Sequence, residues 1–251
     1  MNPLLQPLPA LLALGLAFAS ASACAQSLSP LVPADGTAAN TWRYVGFPKS
    51  KADIPATRFE LADVQGERAL KVSTRASYGT WLHDLPKVDP GRLQWRWRLD
   101  QPLTGGKNEI DILTKEGDDA ALKVCVMFDH PLGRVPFAQR TLLRIARSIS
   151  GEDLPAATIC YVWDSVHPAG LQGANPYTQR VRFMTLQGKG APLAQWQTET
   201  RDVAVDFAKL FADELPTGAS APHVRAVLIG ADSDNTGSQS VAWVKGINWL
   251  R

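Results

Sequence analysis

From Thr41 onward the chain is a succession of short segments in which apolar and polar side chains alternate, the period-two signature of strands with one covered face. Arg58-Phe-Glu-Leu-Ala-Asp63 places Phe59 and Leu61 on one side, Gln65-Gly66-Glu67 reverses the chain, and Ala69-Leu-Lys-Val-Ser-Thr74 returns it, which predicts a hairpin. Residues 91–99 give the cleanest alternation: Leu93, Trp95, Trp97 and Leu99 share one face, and Arg92, Gln94, Arg96 and Arg98 the other. Residues 120–129 are apolar at nearly every position, as a strand covered on both faces requires. Residues 158–163, 180–186, 224–230 and 241–250 continue the series, and 195–202 add a half-exposed strand. The period changes in two places. Residues 137–150 put Ala138, Leu142, Ile145 and Ile149 on one helical stripe, with Arg140, Arg144 and Arg147 on another face. Asp202 or Asp206 is placed to cap a second helix running to about Ala212, with apolar Phe207, Leu210 and Phe211. Many strands, two helices and frequent turn residues predict a mainly β chain. The expected fold is a two-sheet β-sandwich of jelly-roll type, a single domain over 41–251 with a helical insertion at 130–156.

The front of the chain follows a different pattern. Residues 1–25 carry no charge and run through the apolar stretch Leu11-Leu-Ala-Leu-Gly-Leu-Ala-Phe-Ala19 to the small residues Ala21-Ser-Ala-Cys-Ala25. An apolar stretch too short for a stable membrane anchor, followed by an A-x-A-like site, reads as an export signal, although Lys and Arg are missing from its start. Pro3, Pro7 and Pro9 argue against a buried helix there. Cleavage after Ala23 or Ala25 frees a soluble protein, whereas lipidation of Cys24 anchors it. Residues 26–40 read as a tether. The expected location is periplasmic or secreted, with no transmembrane span after processing. The remainder balances 26 basic against 24 acidic residues, which argues against a nucleic-acid partner. Beyond the leader only Cys125 and Cys160 remain, free to pair in an oxidising compartment or to serve as small buried hydrophobes.

Candidate chemistry lies in the connections. No C-x-x-C, H-E-x-x-H, G-x-S-x-G, P-loop or G-x-G-x-x-G occurs. His83 beside Asp84 and His167 near Asp164 are candidate general bases, each weighed against an ordinary loop histidine. Asn108-Glu-Ile-Asp-Ile112 places Glu109 and Asp111 on one face if extended, as on the catalytic strand of some retaining glycosidases. A third carboxylate is missing, however, because Leu113 and Thr114 stand in its place. Trp163, Asp164, Asn175 and Tyr177 fall within one connection and, with Trp196 and Asp118, offer the aromatic platform and polar partners that sugars use. The alternative is a loop pinned by buried aromatics. Asp232, Asp234 and Asn235 sit on a tight loop where oxygen ligands can converge on calcium, or where an Asx-type turn satisfies its own backbone. No other cofactor is indicated.

Several stretches occur in a recognisable order: Lys115-Glu-Gly-Asp-Asp-Ala-Ala-Leu-Lys-Val-Cys-Val-Met-Phe128, Ile159-Cys-Tyr-Val-Trp163, Asn175-Pro-Tyr-Thr178, Trp196 with Arg201-Asp-Val203, and Ala231-Asp-Ser-Asp-Asn-Thr236. This succession resembles the uncharacterised bacterial family known as domain of unknown function 3047, over roughly Trp42 to Leu250. The resemblance implies an exported, mostly single-domain protein of Gram-negative bacteria, and no activity. Together these features lead us to expect an exported cell-envelope protein that binds a saccharide or another small polar ligand, or an envelope component, without catalysis. A glycan-acting hydrolase or lyase using loop carboxylates, and a structural or assembly protein, are the alternatives.

Overall fold

The computed structural model describes residues 28–33, 41–47, 53–150 and 153–250. The expected leader and Cys24 lie outside them. The chain is mainly β, in two sheets. One has seven strands in the order β1 (Trp42–Val45), β4 (Tyr78–Val88), β11 (Val224–Asp232), β6 (Ala120–Phe128), β7 (Ala157–Trp163), β9 (Thr178–Gln187) and β8 (Gln172–Asn175). The other has five, ordered β10 (Gln197–Asp202), β5 (Arg92–Thr104), β12 (Gln239–Leu250), β3 (Glu67–Arg75) and β2 (Arg58–Val64). Strands β3 to β6, and again β10 to β12, step alternately from one sheet to the other. This is a β-sandwich of jelly-roll type. Within β2–β3 the two turn residues Gln65 and Gly66 both take positive φ, 52° and 77°. Their twist matches that of the strands they join, which closes the predicted hairpin.

The alternation read in residues 91–99 is what builds the core. Leu93, Trp95, Trp97 and Leu99 are at most 1 % exposed. They meet the inward side chains of β7, with ring centres 5.2 Å apart for Trp95–Tyr161 and 5.5 Å for Trp97–Trp163. Strands β6 and β7 are covered on their other side too. There Cys125, Cys160, Val162 and Leu228 are buried with Ile112 of the β5–β6 loop, and Leu171 packs against them. Two covered faces account for the unbroken apolar runs. Cys125 and Cys160 stand directly opposite each other and form a disulfide.

Residues 28–33 do not hang free as part of a tether. Leu28 and Leu31 are buried in the main core, Trp42 Nε1 donates to the Ser29 carbonyl, and Ser29 N donates to His83 Nε2. Leu28 and Leu31, three positions apart, give this segment an apolar side to bury. The rest of 26–40 is outside the described residues, apart from these six.

The insertion between β6 and β7 carries α1 (Phe137–Ser150). The apolar stripe read from the sequence faces outward: Leu142, Ile145 and Ile149 are 67 %, 50 % and 80 % exposed. The helix is held instead through Leu143, packed with Val135 and Ala156, and through a buried polar knot. Arg180 of β9 bonds Gln139 of α1, the Ala156 carbonyl and Glu214. Glu214 also meets His130 at 3.1 Å and Arg182 at 3.0 Å. Burial alone would raise the Glu214 carboxyl; hydrogen bonds from Arg180 and His130, with the charges of Arg180 and Arg182, outweigh it and hold the group at about 2. Helix α2 (Val203–Leu210) takes the first of the two caps offered by the sequence, with the Asp202 carboxylate accepting from Ala204 N and Val205 N, and it ends two residues before Ala212. It buries Phe207 against Phe128.

Candidate functional site

At one end of the seven-stranded sheet three connections converge: the loop leading into β6, the β8–β9 turn and the β11–β12 loop. Their meeting point is set by Gly230 in β11. A Cβ there would stand 3.1 Å from Lys123 Cε, so the missing side chain lets Lys123, its direct partner on β6, lie across the neighbouring strand. The ammonium reaches Asp232 Oδ2 at 2.5 Å, while Asp232 Oδ1 accepts from Ala120 N at 2.8 Å. Burial alone would lower the lysine's pKa. Asp232, Tyr78 and Asp118 overcome that and hold it charged, above its ordinary value.

Around this pair the acids are crowded. Asp119 is 4 % exposed and anchors the β11–β12 loop, accepting from Thr236 N at 2.7 Å and Thr236 Oγ1 at 2.5 Å. Asn235 Nδ2 donates to the Asp118 carbonyl. Asp118 Oδ2 accepts from Asn175 Nδ2 at 2.5 Å. Burial pushes the Asp118 carboxyl up to about 6, with Asp232 and Asp119 adding to it against the pull of Lys123 and the Asn175 bond. Burial likewise lifts Asp234 to about 6, reinforced by Asp232 and Asp119. Beside them stands Tyr177, 59 % exposed. Its hydroxyl donates to the Lys115 carbonyl, its backbone N–H donates to Asn175 Oδ1, and the Lys115 ammonium lies 5.6 Å from its ring centre. The cluster thus offers one open aromatic face, two carboxyls titrating near pH 6 and a fixed ammonium. Such groups can hold hydroxyls or shuttle a proton.

Asp118, Asn175, Tyr177, Asp232, Asp234 and Asn235 are therefore neighbours here, although 57 residues separate Asp118 from Asn175. Both Asp232 oxygens considered for calcium are engaged by Ala120 N and Lys123, and among the described residues no group of three or more His, Cys, Asp or Glu is arranged to hold a metal ion.

Trp163, Asp164 and Trp196 are elsewhere. Trp163 is 1 % exposed and faces the core, because its position in β7 falls on the inner side of the sheet. Asp164 turns inward to accept from Val166 N and His167 N, fixing the loop after β7. Trp196 lies across the five-stranded sheet, with Lys245 4.4 Å and Arg96 5.5 Å from its ring. The stretch around Glu109 and Asp111 is loop, not strand, so the shared-face premise fails. Gly117 folds back so closely that a Cβ would meet Asp111 N at 2.5 Å, and Asp111 bonds His167 Nε2 at 2.9 Å. His83 is buried, its Nε2 accepts from Ser29, and burial lowers its pKa. Its neighbour Asp84 pairs with Arg43 instead. Sequence reasoning missed Lys123 and Tyr78. The signal for the first was available: a lone lysine inside a strand otherwise apolar throughout must find a charged partner.

Fold and site together define a β-sandwich with a polar, loop-borne cluster at one end. The model of the family described as "Protein of unknown function (DUF3047)" matches residues 40–248, and the chain belongs to that family. No curated protein matches the chain. Among solved structures it is similar in fold to a Family 11 carbohydrate-binding module from Clostridium thermocellum in complex with a beta-1,3-1,4-mixed-linked tetrasaccharide. The match has a TM-score of 0.38 and 8 % identity, and covers 89 % of this chain and 94 % of that one. Among the described residues no helix is long and apolar enough to cross a membrane.

Proposed function

We propose that this is an exported envelope protein that holds a saccharide, or a small ligand with similar hydroxyl groups, at the loop cluster, without catalysis. The observation that carries this is the exposed Tyr177 ring beside the Asn175–Asp118 pair. Sugars present an apolar C–H face and a polar rim, and a ring flanked by amide and carboxylate meets both. Export is supported by the leader pattern and by the Cys125–Cys160 disulfide, a bond favoured in oxidising compartments. A glycan array followed by calorimetry on the best binder tests the reading. Tyr177→Ala and Asn175→Ala are expected to weaken that binding about tenfold or more, equivalent to about 1.4 kcal/mol. Equal affinity in both variants, or no binder on the array, would overturn it.

A second reading rests on Asp118 and Asp234 both being lifted to about 6, the range suited to a general acid and base. It takes precedence if the bound glycan is cleaved and Asp234→Asn abolishes cleavage while leaving binding intact.

A further inference from the structure

A second site lies on the outward face of the five-stranded sheet, apart from the loop cluster. Strand register builds it. Arg58 stands opposite Ser73, Ser73 opposite Val241, and Val241 opposite Gln101, so these four form one row across β2, β3, β12 and β5. One step along, Arg75 stands opposite Gln239. On β3 the inward positions are Leu70 and Val72, so Ser73 and Arg75 point out. Arg58 and Arg75 are diagonal neighbours, about 7–8 Å apart at the backbone, well within the span of two guanidiniums closing on one group. The row floors a cleft of about 580 Å³, walled by Pro55 and Ala56, the size of a small-ligand site.

The charge pattern is what makes the cleft specific. Lys71, Arg96, Arg98 and Lys245 of the same face each have a carboxylate partner: Glu60, Glu67, Asp100 and again Glu67. Among the described residues Arg58 and Arg75 have none, and none of those lining the cleft is acidic. Two unpaired forks of N–H donors, with the amides of Gln101 and Gln239 and the Ser73 hydroxyl beside them, form a donor-rich surface of net positive charge. We infer that this cleft binds an oxyanion group, carboxylate, sulfate or phosphate, carried on a small polar ligand. Arg58 and Arg75 grip the anion, and the glutamines and serine bond the groups next to it.

Chemical-shift titrations of the whole protein with inorganic phosphate, sodium sulfate, glucuronate and neutral glucose test this. Saturable shifts confined to the cleft, with any of the three anions and not with glucose, support it. Tighter binding of glucuronate than of phosphate assigns the anion to an acidic sugar, and the reverse order assigns a phosphate ligand. Arg58→Gln/Arg75→Gln should weaken binding about tenfold or more, and raised salt should weaken it in the parent. Lys71→Ala, whose lysine is already paired, should leave it unchanged. Both arginines are exposed and without a carboxylate partner among the described residues, so the single variants Arg58→Gln and Arg75→Gln serve if the double one folds poorly. Equal response to glucose, no response at all, or full binding in the arginine variants overturns the inference.

Discussion

Asp118 shows what a single residue contributes to this site. Its carboxyl is charged at neutral pH only against the pull of burial and of Asp232 and Asp119. Because the folded chain holds that proton up to about pH 6, while the unfolded chain releases it near 3.8, folding is favoured below this window and loses stability as pH rises through it. Asp118→Asn keeps the acceptor for Asn175 and removes the charge. We expect its melting temperature to exceed the parent's by several degrees at pH 8 and to match it by pH 3.5. A constant difference across that range, or a less stable variant at pH 8, would show that the carboxylate is not strained. A group kept at such a cost is the kind that serves a ligand. The acids here were legible because Asp, Asn and Tyr bunch at turns. The lone lysine in β6 was legible too, but not its partner, which sits 109 residues away across a strand pair.

Elements were read better than their orientation. Strands with clean alternation came out where expected. Strand β4 does not show in the alternation, because Gly79 and Pro86 interrupt its apolar positions and both its faces are covered, with Leu85 in the main core and Leu82 in the outer cluster. The stripe on α1 was found but its direction was not, since periodicity identifies a face without saying what it faces. What orients α1 is the polar knot at Glu214, whose members come from the insertion, β9 and the segment after α2. Its carboxyl has a lowered pKa, so its contribution is complete above about 4.5 and disappears as pH falls toward 2. Glu214→Gln leaves the buried Arg180 with a neutral partner, while Arg182 keeps Asp213. At pH 7 a loss of about 3–5 kcal/mol is expected in urea unfolding, together with faster proteolysis within residues 129–156. A loss under about 1 kcal/mol would mean that Leu143 and its neighbours hold the insertion unaided.

At the scale of the whole molecule, two layers of strands bury a shared core, and the sequence reveals this because sheets impose a period of two on every strand they contain. Pairing of the cysteines was left open by the sequence, since apolar runs on two strands do not say whether those strands are neighbours. The register puts Cys125 and Cys160 face to face on the neighbouring strands β6 and β7, 35 residues apart in sequence. Closing a loop of that length removes about 3–4 kcal/mol of freedom from the unfolded chain. The same bond is nearly inaccessible in the folded protein, because Cys125 is 1 % and Cys160 5 % exposed. Stability and accessibility therefore predict different things. Native protein should keep the disulfide for hours in millimolar dithiothreitol, since reduction must wait for unfolding. Protein unfolded and refolded in the reductant should melt lower by about 6–15 °C, as should Cys125→Ala/Cys160→Ala. Rapid reduction of the native protein would place the pair nearer the surface than the fold allows. An unchanged melting temperature after reduction would mean that strand pairing and apolar packing hold β6 and β7 together without the bond.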